Sequence, residues 1–228
     1  MADEMELLFA PPARLAALLE KGGIDLGLVP VAALIRLSDA HLIGEHCIGA
    51  DGPVSSVALF SECPLEEIEE IWLDFESRTS VALLKVLLRD HWRISPRLME
   101  AVPGYEARIS GKIAGLVIGD RAFIQSEKSA YKYDLSEHWK VMTGLPFVFA
   151  AWIASRPLPS DFISRFNEAN AFGLSHLTDV VSEINNASID LMTYFTRHIQ
   201  YQLDNEKRRA LNLFLEKVRS LQEVPYGA

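Results

Sequence analysis

Apolar and polar positions alternate along the chain in short blocks that switch between strand and helix periods. Met5–Phe9 is a strand-sized apolar run followed by Pro11-Pro12, and residues 14–20 carry apolar side chains at helical spacing. Gly22-Gly23 stops that helix, and residues 24–30 (I-D-L-G-L-V-P) read as a buried strand. A helical stretch over 31–37, a strand over 43–48 and a β-rich run over 54–61 follow. Pro64 opens a short acidic helix, 71–75 is a strand, 77–80 begins a helix reaching Arg89, and 113–118 is a buried strand closed by Gly119-Asp120. Tyr131–Asp134 reads as a loop before an amphipathic helix, 145–155 as a strand, and 159–218 as mostly helix.

Strand and helix joined by short connections are the grammar of a parallel α/β sheet. The alternation changes character near 62 and again near 150, each time on a long β-like segment, 54–61 and 147–155. Two crossing strands predict an interrupted first lobe, residues 1–61 and 150–228, holding an inserted second lobe, residues 62–149. Each lobe is then a mostly parallel sheet flanked by helices, with a ligand between them.

The 228 residues are 49% hydrophobic and 23% charged, which suits one large domain or two modest lobes and excludes a largely disordered chain. Thirty-one acidic against 22 basic residues give −9, which argues against nucleic acid or an anionic membrane as partner. A local field can still hold a small anion. Two cysteines make no disulfide framework, the acidic start has no secretory character, and the longest apolar run, 145–154, is too short to span a bilayer. These point to a cytoplasmic chain that does not enter a membrane.

Phosphate-loop, dinucleotide and G-x-S-x-G signatures are absent, and the six histidines form no H-x-x-x-H pair, so no cofactor and no metal is expected. The strongest anion-binding signal is Ser77-Arg78-Thr79-Ser80 at a strand-to-helix junction, where free N–H groups and the helix dipole favour negative charge. An ordinary Ser/Thr cap explains the same residues, as does a carboxylate cradle. On a crossing strand, one of Ser55 and Ser56 faces the cleft and the other faces away. Gly119-Asp120 places a carboxylate where it caps the next helix or meets a ligand hydroxyl. Pro146-Phe147 puts a stiff backbone and a ring at the second crossing, as pocket wall or as core.

Four segments in order, D-G-P-V-S-S-V-A-L-F-S (51–61), S-R-T-S-V-A-L-L-K (77–85), G-L-V-I-G-D-R-A (115–122) and T-G-L-P-F-V-F-A-A-W (143–152), resemble the chorismate dehydratase family of the futalosine route to menaquinone. The resemblance implies a two-lobed fold like the type 2 periplasmic binding proteins, and a carbon–oxygen lyase (hydro-lyase). It implies that water is removed from chorismate to give 3-[(1-carboxyvinyl)oxy]benzoate, without cofactor. It carries Ser56 over as catalytic, the 77–80 run as a carboxylate site, and Asp120 as pocket wall. Family members open with a further strand and helix bearing an S-Y-L-N-like motif, and nothing in residues 1–20 supplies its Asn. A chain without that element is expected to be weakly active, inactive or dependent on a partner's strand. The alternatives are a non-catalytic carboxylate-binding protein of the same fold and the related naphthoate synthase of the same pathway. A homodimer is among the assemblies the sequence allows.

Overall fold

A computed structural model describes residues 4–37, 39–184 and 189–223. Helix α1 (Pro12–Glu20) starts on a proline whose absent N–H costs nothing in a first turn, and Gly22, at φ +70°, ends it. Its Ala16 and Leu19 pack on Val29 of β1 (Leu26–Pro30). The first sheet contains β1, β2 (His41–Ala50), β8 (Phe147–Ala154) and β9 (Gln200–Gln202), in the order β1-β8-β2-β9. Every neighbouring pair is antiparallel, so β1 and β2 run parallel with β8 between them.

The second sheet contains β3 (Val57–Ser61), β4 (Glu70–Leu73), β5 (Arg97–Glu100), β6 (Ile113–Ile118) and β7 (Tyr131–Asp134), in the order β5-β4-β6-β3-β7. The β5-β4-β6 pairs are parallel, whereas β3 is antiparallel to both β6 and β7. Helices α2 (Arg78–Leu87) and α4 (Leu135–Thr143) share a cluster with Leu59 and Leu116. Tyr105 and Ala122, the latter on α3 (Asp120–Ser126), share a second cluster with Phe60 and Val117. Strand β3 is therefore covered on both sides, and all five of its residues are buried.

Beyond β8 come α5 (Ser160–Ser175), α6 (Leu177–Glu183), α7 (Leu191–Thr193), a π-helical turn Tyr194–His198, and α8 (Asn205–Glu223). Leu211, Phe214 and Val218 of α8 join one apolar cluster with Phe147 of β8 and Leu83 of α2. That core spans both sheets, and α8 bridges them. No helix among the described residues is long and apolar enough to cross a membrane.

Five expectations change. Neither sheet is mostly parallel: the first pairs antiparallel throughout because β8 returns between β1 and β2, and the second is mixed because β3 returns antiparallel beside β6. The crossings are short irregular links, not strands: β3 lies wholly in the second sheet and β8 wholly in the first. The sheets accordingly divide the chain near 51–56 and 144–146, not at 61 and 150. Met5–Phe9 pairs with no strand, and Leu7 and Phe9 are 70% and 85% exposed. Tyr131–Asp134 is a strand because β3 offers it a ladder edge that periodicity does not reveal.

Candidate active site

Residues 51–56 carry the chain from the first sheet to the second, and one buried carboxylate shapes their end. Asp134 Oδ2 accepts the backbone N–H groups of Val54 at 3.0 Å and Ser55 at 2.7 Å. Its Oδ1 accepts those of Ser136 at 3.0 Å and Glu137 at 3.2 Å, which caps α4. The clamp holds Ser55 at φ +68°, a left-handed conformation that costs a non-glycine residue about 1 kcal/mol. Gly119, at φ +63°, donates its N–H to the Ser56 carbonyl at 2.8 Å and extends the β3–β6 ladder by one rung.

Because of that backbone, Ser55 and Ser56 do not point to opposite faces. The Ser56 and Tyr194 hydroxyls share a hydrogen bond of 2.8 Å, and Ser55 Oγ lies 3.1 Å from His198 Nδ1. Tyr194 and His198 stand at the two ends of the π-helical turn, rings inclined by 29° with centroids 6.4 Å apart. Nδ1 of His198 also lies 3.3 Å from the Pro53 carbonyl. A carbonyl only accepts, so a bond to it uses the tautomer with the proton on Nδ1, which leaves Nε2 as an acceptor.

Phe123 meets Tyr194 edge to face at 5.4 Å. A cavity of about 190 Å³ opens here, lined by Ser55, Phe123, Asp190, Thr193, Tyr194 and His198 among others. Burial pushes the Tyr194 phenol above its ordinary pKa; the Ser56 bond opposes this, and the Asp120 and Asp134 charges add to it. The phenol is thus kept as a proton donor. Asp120 is exposed, and its side chain caps nothing, since Gly119 is the helix's N-cap. The helix bearing Asp120 and Phe123 is anchored by Arg121, which reaches buried Asp74 at 2.8 Å, Glu76 at 2.8 Å and Glu106 at 2.7 Å.

The Ser77–Ser80 run occupies the start of α2. Ser77 Oγ accepts the Ser80 N–H at 3.1 Å and pairs with Ser80 Oγ at 2.8 Å. Thr79 Oγ1 accepts the Ala32 N–H at 3.1 Å, just past the end of β1, and Arg78 pairs with Glu20 at 2.8 Å. Two bonds therefore tie this helix start to the first sheet's side. The Arg78 and Thr79 N–H groups have no intrahelical acceptor, as at any helix start. The run follows β4 and Ser56 precedes β3, with β6 between, so both lie at one sheet end, two strand positions or about 10 Å apart. No hydrogen bond among the described residues joins the two groups directly. Pro146 and Phe147 are buried: the Pro146 carbonyl accepts Trp139 Nε1 at 3.0 Å, and the Phe147 ring packs on Trp139 and Phe214.

Tyr194, His198, Phe123 and Asp134 enter the candidate site only through the structure. Asp134 had a local signal, the D-L-S-E cap pattern over 134–137. Tyr194 had none, standing 138 residues from Ser56. Among the described residues, no three His, Cys, Asp or Glu side chains gather as metal ligands.

Two sheets joined by short links, each flanked by helices, are the architecture of periplasmic-binding-protein-like folds. Protein AF1704 from Archaeoglobus fulgidus shares it with a TM-score of 0.67 at 15% identity, over 97% of this chain and 88% of that one. The alkanesulfonate-binding protein SsuA from Xanthomonas axonopodis pv. citri, bound to MOPS, shares it with a TM-score of 0.60 at 14% identity, over 95% and 82%. A family model described as menaquinone biosynthesis matches residues 1–220, and the chain belongs to that family. The chorismate dehydratase of Thermus thermophilus is 31% identical over 94% of this chain and 87% of its own length.

Proposed function

We propose that this chain is a chorismate dehydratase, a hydro-lyase that removes the C4 hydroxyl and C3 proton of chorismate to give 3-[(1-carboxyvinyl)oxy]benzoate and water. Its relative from Thermus thermophilus and its menaquinone biosynthesis family support the substrate. The observation that carries the chemistry is the Ser56–Tyr194 hydrogen bond beside a cavity. Tyr194 donates to Ser56, and Ser56 donates to the leaving hydroxyl. His198 Nε2 accepts the C3 proton. The C3–H and C4–O bonds break, the ring becomes aromatic, and return of the proton from His198 to the serine–tyrosine pair closes the cycle.

Electrostatics orient the substrate. Asp120 and Asp190 repel its carboxylates, while the N–H groups at Arg78 and Thr79, backed by Ser77 and Ser80, attract them. Ser55 holds His198, Gly119 holds Ser56, and Pro146 with Phe147 supports the cleft from the core. The two sheets act as the lobes that close on the ligand. Cys47 and Cys63, both buried free thiols, suit a reducing cytoplasm.

Incubation with chorismate, followed by ultraviolet absorbance and NMR of the product, tests the reaction. The aromatic ether should accumulate with one equivalent of chorismate consumed. Unchanged chorismate refutes the reading.

A further inference from the structure

A second concavity lies along α2, away from the serine–tyrosine pair. It has a volume of about 820 Å³ and shares no lining residue with the cavity beside Ser55. Its apolar lining comes from Ile35, Val81, Ala82, Leu98, Val218 and Leu221. Four cations, Arg36, Arg78, Lys85 and Arg97, line it as well, and among the described residues no acidic one does, in a chain of net charge −9. Arg78 and Arg97 are held by Glu20 and Glu70, at 2.8 and 2.5 Å. Arg36 and Lys85 enter no ion pair among the described residues. Two cations that form no ion pair among the described residues therefore face one space above an apolar floor.

The spacing along α2 defines what fits. Arg78 and Lys85 are seven residues apart, about 10 Å along the axis, with Val81 and Ala82 on the same face between them. Arg36 and Arg97 approach from other elements. The volume and mostly apolar lining match a small-molecule pocket, in which a few polar groups fix orientation. We propose that this groove binds an organic dianion with a flat apolar body and a negative group at each end, at a site distinct from the cavity beside Ser55, with Arg78 the one residue common to the groove and the proposed chorismate site. Burial of the apolar body supplies affinity, and the cations select for two charges.

Isothermal titration calorimetry on the full chain with biphenyl-4,4′-dicarboxylate tests this. One equivalent should bind, with affinity falling as salt rises. Biphenyl-4-carboxylate, with a single charge, should bind at least fivefold more weakly. Arg36→Glu and Lys85→Glu should each weaken the dicarboxylate at least tenfold, and Ala82→Trp, which fills the floor, should abolish binding. Should either charge reversal lower the melting temperature, Arg36→Gln at the exposed rim should still weaken binding about threefold. Saturating chorismate should not displace the dicarboxylate, and the Ser56→Ala variant should leave its affinity unchanged. Absence of binding, binding that survives Ala82→Trp, or displacement by chorismate overturns the proposal. Because the readout is binding of this probe, a chain that fails to dehydrate chorismate leaves the test intact.

Discussion

The Asp134 carboxylate accepts the Ser55 backbone N–H at 2.7 Å, across 79 residues of chain. The last residue of β7 thereby sets the backbone from which both candidate-site serines project. Its four N–H bonds divide evenly, two to the 54–55 turn and two to the start of α4. Removing the side chain leaves buried donors unpaired and strips a helix cap, losses of about 1–3 and 0.5–2 kcal/mol. Asp134→Ala should lower unfolding free energy by about 2–4 kcal/mol in urea titrations, on those same scales. Asp134→Asn keeps one oxygen and should lose less stability while still losing activity. Full activity in the asparagine variant would mean that the turn does not need the clamp.

The hydrogen bond between Ser56 and Tyr194 makes the proposed relay a single unit. Ser56→Ala and Tyr194→Phe should each reduce kcat about 100- to 10,000-fold, the usual contribution of positioned proton transfer. The double variant should be little worse than either single one, since either change breaks the same relay. Steady-state kinetics on chorismate measure all three. Additive losses would assign the residues independent roles.

Gly119 has open space around its Cα but sits at φ +63° and ψ −147°, a region reserved for glycine. Gly119→Ala should cost about 1–3 kcal/mol through strain alone. Because its N–H holds the Ser56 carbonyl, kcat should fall more than KM changes. A variant that loses stability yet keeps kcat would confine Gly119 to a structural role.

Alkaline stability follows from buried groups that resist ionisation. Burial pushes the Cys47 thiol up to about 12, and Tyr201 also to about 12. In the unfolded chain a thiol ionises near ~8.5, so between ~8.5 and about 12 the unfolded state holds fewer protons. With the folded value raised, this stability is complete below the unfolded pKa and is lost as pH rises through the folded one. The limiting slope is about 1.4 kcal/mol per pH unit for the thiol. Urea titrations at successive alkaline pH values should show Cys47→Ala losing stability less steeply than the parent. Equal slopes would show that the thiol ionises alike in both states.

Thr79 ties the start of α2 to the first sheet's side through Ala32. Thr79→Val keeps the shape but leaves that N–H without its acceptor, at a cost of about 1–3 kcal/mol. KM for chorismate should rise, because the helix start proposed to attract its carboxylate loses its tether. An unchanged KM would separate the tether from substrate binding.

The elements that the chain declares locally are those whose cause is local. Pro12 and Gly22 bound α1, Ser77 caps α2, and the apolar run 113–118 makes a buried strand, because caps and periodicities act within a few residues. The motifs at 51–61, 77–85, 115–122 and 143–152 were likewise legible, and with them Ser56 as a candidate. What escaped is non-local. The insertion of β8 between β1 and β2, the strand at 131–134 and the crossings at 51–56 and 144–146 depend on which edge a distant segment finds. Alternation assigned Ser55 and Ser56 to opposite faces, but Asp134 forces a left-handed residue there and turns both toward the π-helical turn. Local patterning thus determined the elements that carry their own caps and periodicities, and the candidate residues at their ends. Only tertiary structure joined Ser56 to Tyr194 and Ser55 to His198, because hydrogen bonds between partners more than a hundred residues apart leave no period in the sequence.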